Sequence, residues 1–189
     1  MHLVLHAVRL LGFADADAIA RRFDQADAEE ALRDAEARGW VTYSSFAGTS
    51  GWSLTEAGRA ENERLLKAEL TNVDAVEQVY AEFLPLNALL QQACTDWQLR
   101  PTPTDPLAAN DHTDAEWDAG VLHELKVIDS ALKGIVERLT DVLPRFEGYD
   151  ARFAAALARK DVDRSDTDSC HRVWFELHED LLATLNLRR

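Results

Sequence analysis

Imidazole and carboxylate side chains, the groups best suited to metal or anion chemistry, gather in two stretches of the second half of this 189-residue chain. They are Asp111, His112 and Asp114 in the first stretch, and His171, Glu176, His178 and Glu179 in the second. Histidine and carboxylate ligands are the usual set for zinc and iron. His171 and His178 are about two helical turns apart, which places both rings on nearly one face of a helix. The two stretches would form a metal or anion site if the fold brings them together.

The alternative interpretation of these residues is structural. Asp114 stands where it can cap a helix, and histidines on helices more often make structural hydrogen bonds than bind metal. The sequence contains no HExxH motif. His2 and His6 do have the i,i+4 spacing of a ligand pair, but they stand on a short terminal helix. We therefore expect no bound metal and no other cofactor.

Trp97 and Arg100 stand beside the Asp111–Asp114 stretch and are typical of a pocket for a small anionic effector. The alternative is that Trp97 completes an apolar helix stripe while Arg100 pairs with an acidic residue. The predicted ligand-binding residues are Trp97, Arg100, Asp111, His112, His171 and His178.

Two cysteines, Cys94 and Cys170, form neither a disulfide framework nor a CxxC motif, which indicates a reducing compartment. They would form a redox switch if their helices meet. Both fall on apolar stripes, however, where cysteine behaves as a small hydrophobic residue. The structural role is the one we expect.

Motifs of covalent catalysis, phosphate-cradling loops and dinucleotide fingerprints are absent from the sequence. We therefore predict that the chain is not an enzyme. A small metalloenzyme that uses the histidine-rich final helix is the function that the sequence favours least.

The net charge of −14 opposes non-specific adhesion to phosphate backbones or anionic membranes. No apolar run approaches the roughly 18–20 residues that span a bilayer. The first residues lack the basic region and cleavage site of a signal peptide. These observations predict a soluble, cytoplasmic protein.

The order of elements in residues 1–70 is helix, helix, helix, hairpin, helix, which is typical of a winged helix. The hairpin is predicted from two β-prone runs that flank the turn at Ala47–Ser50. Asp15 and Thr55 are the expected helix caps, and Gly39 ends the third helix. Trp40 and Trp52 flank the hairpin and are expected to pack in its core.

Residues 71–189 contain only helical patterns. Pro85 should kink or break the first of these helices, and a proline-rich loop follows from about Arg100 to Thr113. Asp114 caps the longest helix, which Pro144 ends. Shorter helices follow over about 148–160 and 168–187, separated by the polar residues 161–166. The fold class is therefore mainly α, with an α+β part at the N-terminus: a winged-helix domain over 1–70 and an all-α bundle over 71–189.

The charge of the winged helix matches DNA poorly. Residues 1–70 hold 8 basic and 12 acidic residues, and the hairpin, residues 41–54, has no Lys or Arg. Glu29, Glu30 and Asp34 lie on or beside the outward face of the third helix, where a DNA-binding helix normally carries a basic footprint.

Residues 51–59, GWSLTEAGR, resemble winged-helix regulators of the MarR and PadR type. A resemblance over nearly the whole chain rests on Phe83–Asn87, Cys94–Arg100, Asn110–Asp114 and Trp174–Leu182. These segments are similar to an actinobacterial group of winged-helix proteins with a helical C-terminal region, whose members resemble transcriptional regulators. A similar region is attached to homologues of pyruvate phosphate dikinase. The resemblance implies a regulatory or interaction module and supplies no catalytic residue.

Two functions follow from these observations. The first is a DNA-binding transcriptional regulator that forms a homodimer on double-stranded DNA and responds to a small-molecule effector. Its predicted DNA contacts are Arg21, Arg22, Arg33, Arg38, Thr49 and Ser50. The alternative is a winged-helix protein-interaction module that has lost DNA binding, as the acidic third helix and the uncharged hairpin indicate.

Overall fold

A computed structural model describes residues 1–46, 48–164 and 167–187 of the chain. Ala47 of the predicted turn and Ser165 and Asp166 of the predicted polar gap lie outside these residues. The chain divides into two compact units. The first comprises Met1–Thr71 together with the chain from Glu179 on, and the second comprises Asn72–His178.

The structure confirms the prediction of a mainly helical chain with a small antiparallel hairpin in its N-terminal part, which belongs to the first unit. Its elements are α1 His2–Leu11, α2 Ala16–Arg22, α3 Ala28–Ala37, β1 Val41–Phe46, β2 Thr49–Leu54 and α4 Glu56–Glu69. Both predicted caps are present: the Asp15 carboxylate accepts from the Ala18 N–H at 2.7 Å, and the Thr55 hydroxyl accepts from the Gly58 N–H at 3.0 Å. Val4, Leu5, Ile19 and Leu32 are fully buried beside Val41 and Trp52, so the helices and the hairpin share one core.

The hairpin is paired on one side by the segment that links α1 and α2. Its register matches Val41 with Leu54 and Tyr43 with Trp52. Ala14 forms an antiparallel bridge to Trp52 on the other side of β2, with N–H···O distances of 2.8 and 3.2 Å. The spatial order is therefore Ala14, β2, β1.

Gly58 allows α4 to lie directly against the backbone at the base of the hairpin. A Cβ atom added at Gly58 would stand 1.7 Å from the Trp40 carbonyl oxygen. Thr55 completes this corner, because its N–H donates to Trp40 O at 3.0 Å and its hydroxyl donates to Gly39 O at 2.6 Å. The LTEAGR sequence therefore specifies a close helix–backbone approach.

A buried hydrogen bond joins the two chain segments of the first unit. His6 Nε2 lies 2.9 Å from Asp180 Oδ1, and both side chains are fully buried. Arg9 contacts Glu63 at 3.3 Å and Glu179 at 3.2 Å. Sequence patterns assigned all of residues 71–189 to the helical domain, whereas these contacts group the chain from Glu179 on with the N-terminal elements.

The second unit is all helical. It contains α5 Val73–Gln98, α6 Ala115–Val142, a single 3-10 turn Pro144–Phe146, α7 Tyr149–Ala158 and the first part of α8, which spans Cys170–Thr184. Helices α5, α6 and α7 pack around Phe83, Leu125 and Phe153. Trp174 of α8 stacks on Phe83 with ring centroids 4.6 Å apart, and its indole N–H donates to Asn87 Oδ1 at 3.0 Å.

Pro85 does not break its helix, so that part of the prediction is wrong. Helix α5 continues through Pro85 for 26 residues in total. Proline removes one backbone donor and costs about 3 kcal/mol in a helix interior. Val79, Phe83, Leu90 and Ala93 are buried on both sides of Pro85, and their burial keeps the two halves in one helix.

In the described part of the chain, no helix combines the length and apolarity that crossing a membrane requires.

The Gly58 contact predicts opposite effects for one substitution at two helical glycines. Gly58→Ala should destabilise the fold by about 1–3 kcal/mol, because the new methyl group overlaps the Trp40 carbonyl. Gly134→Ala in α6 should stabilise it by about 0.5–1 kcal/mol, because its methyl group meets no atom within 4 Å. Urea unfolding followed by circular dichroism measures both changes. Equal stability of the two variants would contradict the close approach.

Candidate functional site

An open groove of about 540 Å³ lies between α3 and the hairpin of the first unit. Its lining residues come from the start of α2, the outer face of α3 and both strands. They are Asp15, Ala16, Glu29, Arg33, Glu36, Tyr43, Ser50 and Trp52. The groove is therefore built by the same elements that would contact DNA in a winged helix.

Carboxylates dominate the charge of this groove. Asp15, Glu29 and Glu36 are all exposed to solvent. Among the described lining residues the single cation is Arg33, which Glu29 holds at an N···O distance of 2.5 Å. Glu30 and Asp34 add two further exposed acidic groups to the surface of α3. An ionised phosphate entering the groove would meet uncompensated negative charge.

Aromatic rings form the hairpin side of the groove. The Tyr43 ring lies 5.0 Å from the Trp52 ring, and Tyr43 is half exposed while Trp52 is buried. Phe46, the last residue of β1, lies on the opposite face of the hairpin and is 85 % exposed, which is the highest exposure of any large apolar side chain in the described residues. An aromatic surface next to carboxylates suits a cation, since the ring faces and the charges attract the same ligand.

The structure disperses the six predicted DNA contacts. Arg33 and Ser50 line the groove, and Thr49 begins β2. The Arg38 guanidinium lies over the Trp40 ring at 4.9 Å, beyond the end of α3. Arg21 and Arg22 end α2, and Arg22 lies over the Phe23 ring at 4.4 Å.

Asp15, Glu36 and Tyr43 were not among the residues that the sequence singled out as a site. Glu29, Arg33 and Glu36 follow the i, i+4, i+7 spacing of one helix face, and this signal is present in the sequence. Tyr43 carries no comparable signal. Its place in the groove depends on the hairpin register and on the packing of α3 against β1.

The structure brings several of the predicted ligand-binding residues together in the second unit. The loop after α5 folds back on itself through a bridge between Leu99 and Ala109. The nearly buried Asn110 donates to Trp97 O at 3.0 Å and to Asp118 Oδ1 at 2.9 Å. His112 therefore lies against Trp97, with ring centroids 4.6 Å apart, and its Nδ1 is 3.1 Å from Asp118 Oδ2.

Arg100 is engaged within this cluster. It donates to Asp114 Oδ2 at 2.8 Å, which is the pairing that the alternative interpretation of Arg100 describes. Hydrogen bonds from the Trp117 and Glu116 backbone and the charge of Arg100 lower the pKa of Asp114. Hydrogen bonds from Thr113 lower the pKa of Asp111. These carboxylates therefore remain charged at neutral pH and oppose an anionic effector.

The cavity beside this cluster is also lined by acidic side chains. It has a volume of about 390 Å³ and is lined by Asp96, Asp114, Glu116, Trp117, Gly120, Val121 and Glu124. The Trp117 indole N–H is already used, because it donates to Asp96 O at 2.7 Å. The lining of this cavity therefore does not match an anionic ligand.

His171 and His178 do not join the cluster around Trp97. His178 packs beside Tyr80 and Phe83, with ring centroids 6.2 and 5.2 Å away. Phe83 and Trp97 are 14 residues apart on α5, a separation of roughly 20 Å along a helix. His171 is exposed at the start of α8. Glu176 is buried against Arg152 and Arg172, at 2.9 and 3.6 Å.

No group of three or more His, Cys, Asp or Glu side chains suited to a metal ion occurs within residues 1–46, 48–164 and 167–187. His2 and His6 do not act as a pair, because His2 approaches Glu69 at 3.7 Å while His6 contacts Asp180.

Cys94 and Cys170 are both buried and unbonded. Burial raises the pKa of each thiol from 9.0 to about 12, and the charge of Asp163 raises that of Cys94 further. The charge of Cys94 also raises the pKa of Cys170. Since the thiolate is the reactive form, both cysteines are chemically quiet at neutral pH.

Comparisons with known proteins identify no relative: no protein-family model, no curated protein and no solved structure matches the chain.

The raised pKa values predict slow thiol chemistry in the folded protein. Ellman's reagent at pH 8 should modify Cys94 and Cys170 at least tenfold more slowly in the native protein than in urea, because burial suppresses the thiolate. The folded state binds these protons more tightly than the unfolded state. Their contribution to stability is therefore fully present below pH 9 and is lost as the pH rises through about 12. Native thiols that react as fast as those of the unfolded chain would contradict this assignment.

Proposed function

We propose that the first unit is a winged helix that binds a partner protein carrying basic side chains. Three features support the winged-helix assignment. The first is the order of the elements, which is three helices, a hairpin and a fourth helix. The second is the pair of hydrogen bonds by which Ala14, between α1 and α2, joins β2. The third is the resemblance of residues 51–59 to winged-helix regulators.

The observation that carries this proposal is the lining of the groove between α3 and the hairpin. A winged helix that reads DNA places its third helix in the major groove and surrounds it with Lys and Arg, which release counterions from the phosphates. Here the same surface presents Asp15, Glu29 and Glu36, and Arg33 is already paired with Glu29. The architecture is retained while the charge that DNA requires is reversed.

A lysine or arginine side chain of a partner fits this surface. Carboxylates bind guanidinium groups through charge-assisted hydrogen bonds, which are among the strongest in proteins. The exposed ring of Tyr43 offers a face on which a guanidinium stacks. The function is therefore binding rather than catalysis, in the cytoplasm, and no reaction is assigned to either unit.

A DNA-binding regulator is the second candidate function, favoured by the order of the elements and by the family resemblance. It would use Arg21 and Arg38, which are exposed at the ends of α2 and α3. A homodimer on a two-fold operator would provide these contacts twice. In this case the second unit would supply the effector or dimer contacts.

Fluorescence anisotropy with duplex DNA from the gene's own upstream region separates the two candidates. We expect no sequence-specific binding even at low salt, because the groove repels phosphate. We also expect Arg33→Ala to leave this result unchanged. Binding that weakens steeply with salt, exceeds that of a scrambled duplex and is lost in Arg33→Ala would establish the DNA-binding regulator instead.

A pair of charge-neutralising variants tests protein binding directly. The groove variant Asp15→Asn/Glu36→Gln keeps a residue that can cap α2 and removes two negative charges. The control variant Glu77→Gln/Asp141→Asn makes the same charge change at exposed positions of the second unit. A partner isolated with the wild-type protein should bind the control with unchanged affinity and the groove variant at least tenfold more weakly. Equal affinity for both variants would place the binding surface elsewhere.

A further inference from the structure

The outer side of β1 is an open sheet edge. The Trp52 N–H and C=O both bond to Ala14, so they face away from β1. The cross-strand pair Tyr43–Trp52 is therefore a non-hydrogen-bonded pair. Because hydrogen-bonded and non-hydrogen-bonded pairs alternate along an antiparallel ladder, Tyr43 and Ser45 direct their N–H and C=O groups to the outer side of β1.

This edge lacks the features that normally protect a sheet edge. Residues 42–46 are exposed, and no described residue forms a backbone hydrogen bond to Tyr43 or Ser45 from outside the hairpin. The β1 sequence VTYSSF contains neither charge nor proline, and its register with β2 runs without a bulge. Charged residues, prolines and bulges are the usual means of preventing such an edge from accepting another strand.

We infer that β1 accepts an extended segment of the partner protein as an additional strand, with basic side chains at alternate positions. This inference rests on the proposed protein-binding function and specifies how the partner is recognised. Backbone hydrogen bonds to Tyr43 and Ser45 provide the affinity, and contacts of every second side chain of the added strand provide the specificity.

The two faces of the hairpin specify the side chains of this segment. Tyr43, Ser50 and Trp52 share the face that lines the groove. Alternate residues of an added strand project toward this face, beside α3, which packs against β1 and carries Glu29 and Glu36. Basic side chains at these positions complement the α3 carboxylates, whereas Asp15 follows Ala14 on the far side of β2. The opposite face carries Thr42 and the exposed Phe46, which favour β-branched or aromatic neighbours.

The partner is a different protein rather than a second copy of this chain. Self-pairing of β1 would bring two copies of the same acidic groove together, in a chain whose net charge is already −14. The β1 strand itself contains no basic residue that could neutralise the groove of another copy. A basic segment removes this repulsion and uses the same hydrogen bonds.

The test uses a fluorescein-labelled eight-residue peptide that alternates arginine and valine, together with its matched N-methylated form. Methylation of alternate backbone nitrogens removes the strand's donors without changing its charge or side chains. We expect anisotropy titration of the full chain to show at least tenfold weaker binding of the N-methylated peptide. We also expect amide exchange at Tyr43 and Ser45 to slow when the unmodified peptide is bound.

Substitution of Ser45 provides the reciprocal test on the protein. Ser45→Pro removes the outward N–H and is compatible with an edge strand, whereas Ser45→Ala changes the side chain and keeps the N–H. Peptide affinity should fall at least tenfold in Ser45→Pro and remain within twofold in Ser45→Ala. Circular dichroism checks the folding of both variants. If Ser45→Pro does not fold, the comparison of the two peptides decides the question alone.

Three outcomes would overturn the inference, and they differ in whether the proposed protein-binding function is retained. Equal binding of both peptides that still requires Asp15 and Glu36 would retain the protein-binding groove and exclude strand addition. Absence of peptide binding, or binding that is equal in the groove and control variants, would count against both. Sedimentation showing a wild-type dimer that Ser45→Pro dissociates would assign the edge to a second copy.

Discussion

The fold of the first unit depends on the contact between α4 and the backbone at Trp40. A helix can approach a carbonyl oxygen this closely only where the facing residue has no Cβ, and Gly58 provides that position. Thr55 holds the approach from both directions, since it donates to the carbonyl groups of Gly39 and Trp40 just before β1 and caps the helix that follows. The contact fixes where β1 begins relative to the helices. It therefore determines the width of the groove beside α3, and both the acidic lining and the open edge of β1 depend on it.

Local chemistry explains why much of this fold is predictable from the sequence. Asp15, Thr55 and Asp114 cap the helices for which their positions indicated caps, and the hairpin forms between the two β-prone runs. The predicted break at Pro85 is wrong because a proline weakens a helix only locally. Phe83 and Leu90, on either side of it, are buried in a core that several helices form, and this burial keeps α5 continuous. The resemblance to winged-helix regulators also concerns a scaffold, and scaffolds of one kind carry different functions when their surface charges differ.

The sequence predicts which site residues lie together only where a short loop connects them. Trp97, Arg100, His112 and Asp114 come together because one short loop connects α5 to α6. Residue type and the two-turn spacing from His171 group His178 with them. The packing of α8 instead places His178 beside Phe83, which lies more than ten residues before Trp97 on α5. The groove of the first unit combines Asp15 with Tyr43 and Trp52, and no local pattern connects residues that the folded hairpin brings together.

The buried His6–Asp180 pair also constrains how the protein is made. Its two members are separated by 174 residues, so the contact closes nearly the whole chain into one loop. A ribosome adds about 5–20 residues per second, which places the synthesis of Asp180 roughly 10–30 s after that of His6. Helices α1 to α4 and the hairpin leave the ribosome long before the carboxylate that their core contains. The first unit therefore completes its folding only after Asp180 has been made, although most of its residues are made well before that residue.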